Sequence, residues 1–163
     1  GGRVLILRKQ QGRLECVPVL WNLTPGWLKD LSRASFNARA EFLHEKPMFK
    51  QAFAKRRCLI PINGYYLWKN NGSRKHPWYL RRREGGLALA GIWERYQLDK
   101  EHYWDSCALI TVPSKGLPAT LAERMPVALN SVEMVHPVAS AVSSPETKGP
   151  HCCNPSGPIQ TLN

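Results

Sequence analysis

Apolar residues fall in short runs along most of this chain, separated by turn-forming residues. "RVLILR", residues 3–8, reads as a buried strand, and after "QQG" the run "LECVPVLW", 14–21, reads as a second. Pro18 has no N–H to give a ladder, so the second strand should lie at an edge or carry a bulge. Residues 22–30 form a loop, with the Pro25-Gly26 turn signal between Trp21 and Trp27. Over 44–57 the period lengthens. Phe49 and Phe53 lie four apart and basic residues gather at the C-terminal end, which suits the dipole, so this segment is expected to be a helix. "CLIPI", 58–62, reads as a strand turning at Asn63-Gly64 into "YYLWK", 65–69, as a hairpin. Residues 76–83, 87–96 and 107–112 read as three more strands, the first two joined by "EGG"; 114–125 suggests a short helix with Pro118 near its start.

Many short strands and two or three short helices imply an α+β chain with one compact, β-rich domain over 1–144 and a Pro/Gly/Ser-rich tail over 145–163. The 163 residues are enough to bury one sizeable core. No apolar run reaches membrane length, and no signal peptide opens the chain.

Charge narrows the class of partner. The formal net charge is +11, and aromatic residues are interleaved with basic runs at 55–57 and 81–83, which favours nucleic acid over a merely solvated basic face. Five cysteines without a C-x-x-C pair, two of them (Cys58, Cys107) inside apolar runs, suggest a reducing compartment rather than a disulfide framework. His151, Cys152 and Cys153 make a poor tetrahedral set, so neither a metal nor another cofactor is expected.

Candidate chemistry is sparse. Asn37, Arg39 and Glu41 alternate with small residues and on an extended segment would share one face; an internal Arg39–Glu41 ion pair is the plainer reading of that face. Most of the tryptophans at 21, 27, 68, 78 and 93 are expected in the core, a minority being left to stack on bases or sugars. The five histidines are scattered, and no serine sits in a nucleophile motif.

The order of motifs is more telling. "WNLTPGW" (21–27), "NARAE" (37–41), "EKPMFKQAFAKRRCLIPINGYYLWK" (45–69), "LALAGIWE" (87–94), "ERMPVAL" (123–129) and "HPVASAV" (136–142) follow one another in a way that resembles the SRAP (SOS response-associated peptidase) family of abasic-site processing proteins. The resemblance implies a barrel-like core of twisted antiparallel strands and a positively charged groove for single-stranded DNA. It implies covalent capture of abasic sites as a thiazolidine by an N-terminal Cys, surrounded by a hairpin Glu, a His before the Arg-Met-Pro turn, and the Asn of Asn-Ala-Arg. Acid–base side chains suit such a step, since imine formation needs proton shuttling.

Asn37 and Arg39 match that pattern, whereas the Glu position is Leu67 and the His position is Ala122. The leading Cys has no counterpart, the opening "GGRVLILR" resembling the family's second strand, and a stretch near Ser131 is short. The resemblance therefore implies a groove in which Trp21 and Trp68 form walls, Arg39 and Arg124 hold phosphates and Asn37 faces the sugar, with crosslinking impaired or lost. An active crosslinker or lyase using substitute groups or segments outside this sequence, and a protein-interaction module without DNA binding, are the alternatives. The expected setting is a cytoplasmic, nucleoid-associated monomer of bacterial type.

Overall fold

The computed structural model describes residues 2–83 and 85–129. Five strands close a ring: β1 (Arg3–Gln10), β2 (Arg13–Trp21), β4 (Arg57–Ile62), β7 (Leu87–Gln97) and β8 (Tyr103–Pro113). β1 pairs with β2 and β4, β4 with β7, β7 with β8, and β8 with the end of β2. The barrel expected from the resemblance is therefore present, although not all its pairs are antiparallel. β2 and the short β3 (Asn37–Arg39) run parallel to β8. β9 (Arg124–Pro126) joins the far end of β8, and β10 (Ala128–Leu129) pairs with β7.

Burial explains the closure. Ile6, Val19, Cys58, Ile60, Leu89 and Cys107 form one apolar cluster, and Ala38, Ile92, Ala108 and Ile110 another beneath α1 (Pro47–Lys55). Burial pushes the Cys107 thiol up to about 12 and raises Cys58 well above the ordinary range, so both are inert packing groups. Pro18 is tolerated because β8 meets β2 only at Leu20 and Trp21, leaving the edge beside Pro18 unpaired.

A part-buried charge cluster gathers on β1, β2, β7 and β8 around one buried arginine. Arg8 is 5 % exposed, donates to Glu15 and Asp105, and lies over the Trp93 ring at 4.0 Å. Asp105 also accepts from Arg95 at 2.7 Å. Burial works against the charged Asp105, but the hydrogen bonds from Arg95 and Arg8 more than offset it and hold its pKa below the usual 3.8.

Three local expectations need correction. The helix begins at Pro47 rather than His44: a residue before proline is driven out of the helical region, and Lys46 is extended at φ −73°, ψ 127°. It ends at Lys55 because Arg57 is drawn into β4 opposite Ile92. Over 114–125 there is only one 3₁₀ turn, Leu117–Thr120, and Arg124–Pro126 is strand; Pro126 disfavours a helical Met125, and that stretch pairs with β8 instead.

Asn63-Gly64 is the third. It does not close a hairpin; here the chain leaves the barrel and enters β5 (Gly64–Asn71), which pairs with β6 (Arg74–Arg81) in a separate two-stranded sheet. The hairpin turn lies at Gly72-Ser73, with Gly72 at φ 62°. β6 consequently pairs with β5 and not with β7, across the "EGG" segment. Glycine is needed at 64 for closeness: a Cβ there would sit 2.6 Å from the Leu80 carbonyl oxygen and 2.6 Å from the Tyr79 ring. Gly64→Ala is expected to cost about 1–3 kcal/mol by forcing the root of the hairpin apart. Urea denaturation checks this; an unchanged midpoint would mean the hairpin root accommodates a methyl group.

No helix among the described residues is long and apolar enough to cross a membrane. The tail from Pro145, the His151-Cys152-Cys153 cluster and the junction at Ser131 lie outside the described residues.

Candidate nucleic-acid interface

β3 carries the first two polar groups. Its pairing places Asn37 opposite Leu109 and Arg39 opposite Thr111, so Ala38 points into the core and the flanking side chains point out together. Both line a cavity of about 750 Å³ bounded by the barrel, β9 and the β5–β6 hairpin. Trp21, Leu67, Trp68 and Arg124 line it too. Of the site residues expected from the sequence, Ala122 alone is not in that wall.

The two tryptophans are held differently. Trp21 is half-buried at the end of β2; its Nε1–H donates to the Phe36 carbonyl at 2.8 Å, and the two rings meet edge to face at 6.1 Å. Trp68 is 55 % exposed and presents an open aromatic face beside Tyr66, which packs on Tyr79 at 4.9 Å. Most of the tryptophans named from the sequence are not core. Trp93 is buried at 6 %, Trp78 is half-buried, and Trp27 is 54 % exposed beside the Pro25-Gly26 turn.

The plainer reading of the 37–41 face fails. Ala40–Phe42 is a 3₁₀ turn, so Glu41 leaves the strand and meets Arg124 instead of Arg39. Arg124 donates from both terminal nitrogens to Glu41 at 2.9 and 2.8 Å, and also to the Thr111 hydroxyl at 3.2 Å and carbonyl at 2.7 Å. The Arg124 hydrogen bond holds the Glu41 carboxyl below its ordinary range. Arg39, exposed on the same wall, has no hydrogen-bond or ion-pair partner among the described residues. Thus one guanidinium is already engaged and the other is open to an anion. Sequence reading missed Thr111, which looks like an interior strand residue until β9 pairs beside it.

Leu67 and Ala122 belong to the same apolar cluster. Strand alternation turns Leu67 away from Trp68's exposed face, leaving it 8 % exposed in a cluster with Leu80 and Leu121. Tyr65, Trp78 and Ala122 pack against the same cluster. Among the described residues that line the cavity, none is Cys, His, Ser, Lys, Asp or Glu. What remains is an amide, one open guanidinium, one engaged guanidinium, hydroxyls and aromatic faces. These can bind and orient an anionic, ring-bearing ligand, but they include no carboxylate or imidazole to move a proton.

The barrel, the β3 face and the order of motifs define one class. A family model described as SOS response associated peptidase (SRAP) matches residues 1–148, and the chain belongs to that family. It is similar to the abasic site processing protein YoqW of Bacillus subtilis, at 34 % identity over 124 residues, covering 72 % of this chain and 55 % of that one. It is 35 % identical over 114 residues to the abasic site processing protein YMR114C of Saccharomyces cerevisiae, covering 67 % of this chain and 30 % of the relative. A crystal structure of a Bacteroides thetaiotaomicron protein superposes with a TM-score of 0.74 at 26 % identity, covering 86 % of this chain and 67 % of its own. The chain thus spans about half the length of the YoqW protein, 55 %.

Proposed function

We propose that this domain recognises abasic sites in single-stranded DNA and holds them without the family's Glu- and His-assisted crosslink. The supporting observation is the split character of one cavity. Asn37, Arg39, Trp21 and Trp68 share its wall, while the positions where the resemblance implies acid–base groups, Leu67 and Ala122, pack into one apolar cluster. On this reading Arg39 takes a phosphate, the Trp68 face takes a neighbouring base, and the Asn37 amide meets the sugar of the missing base. Arg124 is a positioning residue, tied by Glu41 and Thr111, that fixes β9 against β8.

The test uses an abasic single-stranded oligonucleotide. Affinity should fall steeply with salt, and a denaturing gel with intact-mass analysis should show no covalent adduct. Arg39→Ala should weaken binding about tenfold or more and lower the log–log salt slope by about 0.7, one phosphate's share on a single strand. A covalent adduct would sink the loss of crosslinking; unchanged affinity in Arg39→Ala would sink the assignment of the phosphate site.

A further inference from the structure

The β5–β6 hairpin has two unlike faces. Its register pairs Tyr65 with Leu80 and Leu67 with Trp78, and these side chains gather with Leu121 and Ala122 in the apolar cluster. Alternation sends the intervening pairs to the other side: Gly64 with Arg81, Tyr66 with Tyr79, Trp68 with Pro77, and Asn70 with Lys75. On that side Tyr66 and Trp68 are 48 and 55 % exposed. The Tyr79 ring reaches back over Gly64, whose missing Cβ leaves room for it. Tyr66 and Trp68 also line the cavity, whereas Tyr79, Pro77, Lys75 and Arg81 do not. The aromatic surface therefore continues from the cavity rim onto β6.

Charge decides what kind of partner fits this face. The hairpin, residues 64–81, carries Lys69, Arg74, Lys75 and Arg81 and no Asp or Glu. Lys75 and Arg81 stand at the two ends of the aromatic face. Both are exposed, and neither has a hydrogen-bond or ion-pair partner among the described residues. Six residues of strand separate them, about 20 Å. Rings set between open cations suit a polyanion that also carries flat groups, with its bases on the rings and its phosphates on the cations. A duplex stacks its bases on one another and would leave the rings unused, so an unpaired strand is favoured. Rings and cations read no base edges, so any base fits.

We infer that this face of the hairpin is a stacking platform for the undamaged single strand beside the abasic site. One base lies on the Tyr66 ring, which Tyr79 backs at 4.9 Å, next to the base on Trp68, and flanking phosphates meet Lys75 and Arg81. The inference rests on the single-stranded DNA reading proposed above and deepens it. The substrate becomes a strand with unpaired flanking nucleotides of any sequence, rather than the abasic nucleotide alone.

Three strands are the probes, read by fluorescence anisotropy: an abasic nucleotide with one neighbour on each side, the same site with long single-stranded flanks, and a long undamaged oligothymidylate. The long abasic strand should bind about tenfold or more tighter than the short one. Tyr66→Ala should weaken binding of both long strands about fivefold or more, while Tyr66→Phe, which keeps the ring, should bind as the parent does. Lys75→Ala and Arg81→Ala together should lower the log–log salt slope on the long strands by about 1.4, two phosphates' share, and leave the affinity of the short strand in place. Tighter binding of a blunt duplex than of the long strands would overturn the platform, since the hairpin would then meet phosphates without bases. Long strands indifferent to these changes, or no tighter than the short abasic one, would remove the platform and keep the abasic-site reading. Abasic and undamaged long strands that bind alike and share the losses would keep the platform and remove the abasic preference. No binding by any strand would remove both and leave this face to a protein partner.

Discussion

Leu67→Glu should destabilise the domain by about 3–5 kcal/mol. The change removes a leucine that is 8 % exposed and puts a carboxyl among Leu80, Leu121 and Trp78. Burial there disfavours the charged carboxylate and raises the pKa of the new group. Adding Ala122→His places an imidazole against the same cluster, and the double variant should recover about 1 kcal/mol or more relative to the sum of the single changes. Urea unfolding of the four proteins measures that coupling. Strict additivity would mean the two positions do not meet, and the account of a dismantled acid–base pair would fail. With the leading Cys segment of the family also restored, the double variant should regain a covalent adduct with abasic DNA.

The second large effect is expected at Asp105. Asp105→Ala leaves Arg8, 5 % exposed, with Glu15 as its remaining carboxylate, and should cost about 3–5 kcal/mol. The pH dependence follows from the sign of the shift. Asp105 has a folded pKa below the ordinary 3.8, so the unfolded chain takes up the proton first. Its contribution is fully present above that ordinary value and is lost as pH falls through the lowered folded pKa. Urea midpoints between about pH 2 and 7 should therefore drop on the acid side in the parent protein and less steeply in Asp105→Ala. Equal acid slopes would remove Asp105 from the acid limb.

The sequence disclosed the face of Asn37 and Arg39 because side-chain alternation is local: two residues apart on a strand share a side, whatever the strand pairs with. It misled at Asn63-Gly64 because a two-residue turn signal and a chain passing between two sheets both select glycine, the first for a left-handed φ, the second for contact with the Leu80 carbonyl. The partner of Glu41 was hidden for a different reason. The 3₁₀ turn Ala40–Phe42 that follows β3 turns Glu41 toward Arg124, 83 positions away, and no neighbouring residue signals that. Helix spacing over 114–125 lost to Pro126 and to the open edge of β8.

β8 also sets the order of assembly. Its N-terminal half lies between β2 and β7, and its C-terminal half between β3 and β9. During synthesis, β3 and the second edge of β2 wait for a partner until residues 103–113 have left the ribosome. The hairpins β1–β2 and β5–β6 can form early, but the barrel cannot close before that strand arrives. Waiting chains expose Ile6, Val19 and Ile60, apolar residues that the finished ring covers. Folding of this domain is thus governed by long-range closure, a millisecond-to-second process in barrels of this kind, and a nascent chain that stops short of Tyr103 has no ring to close.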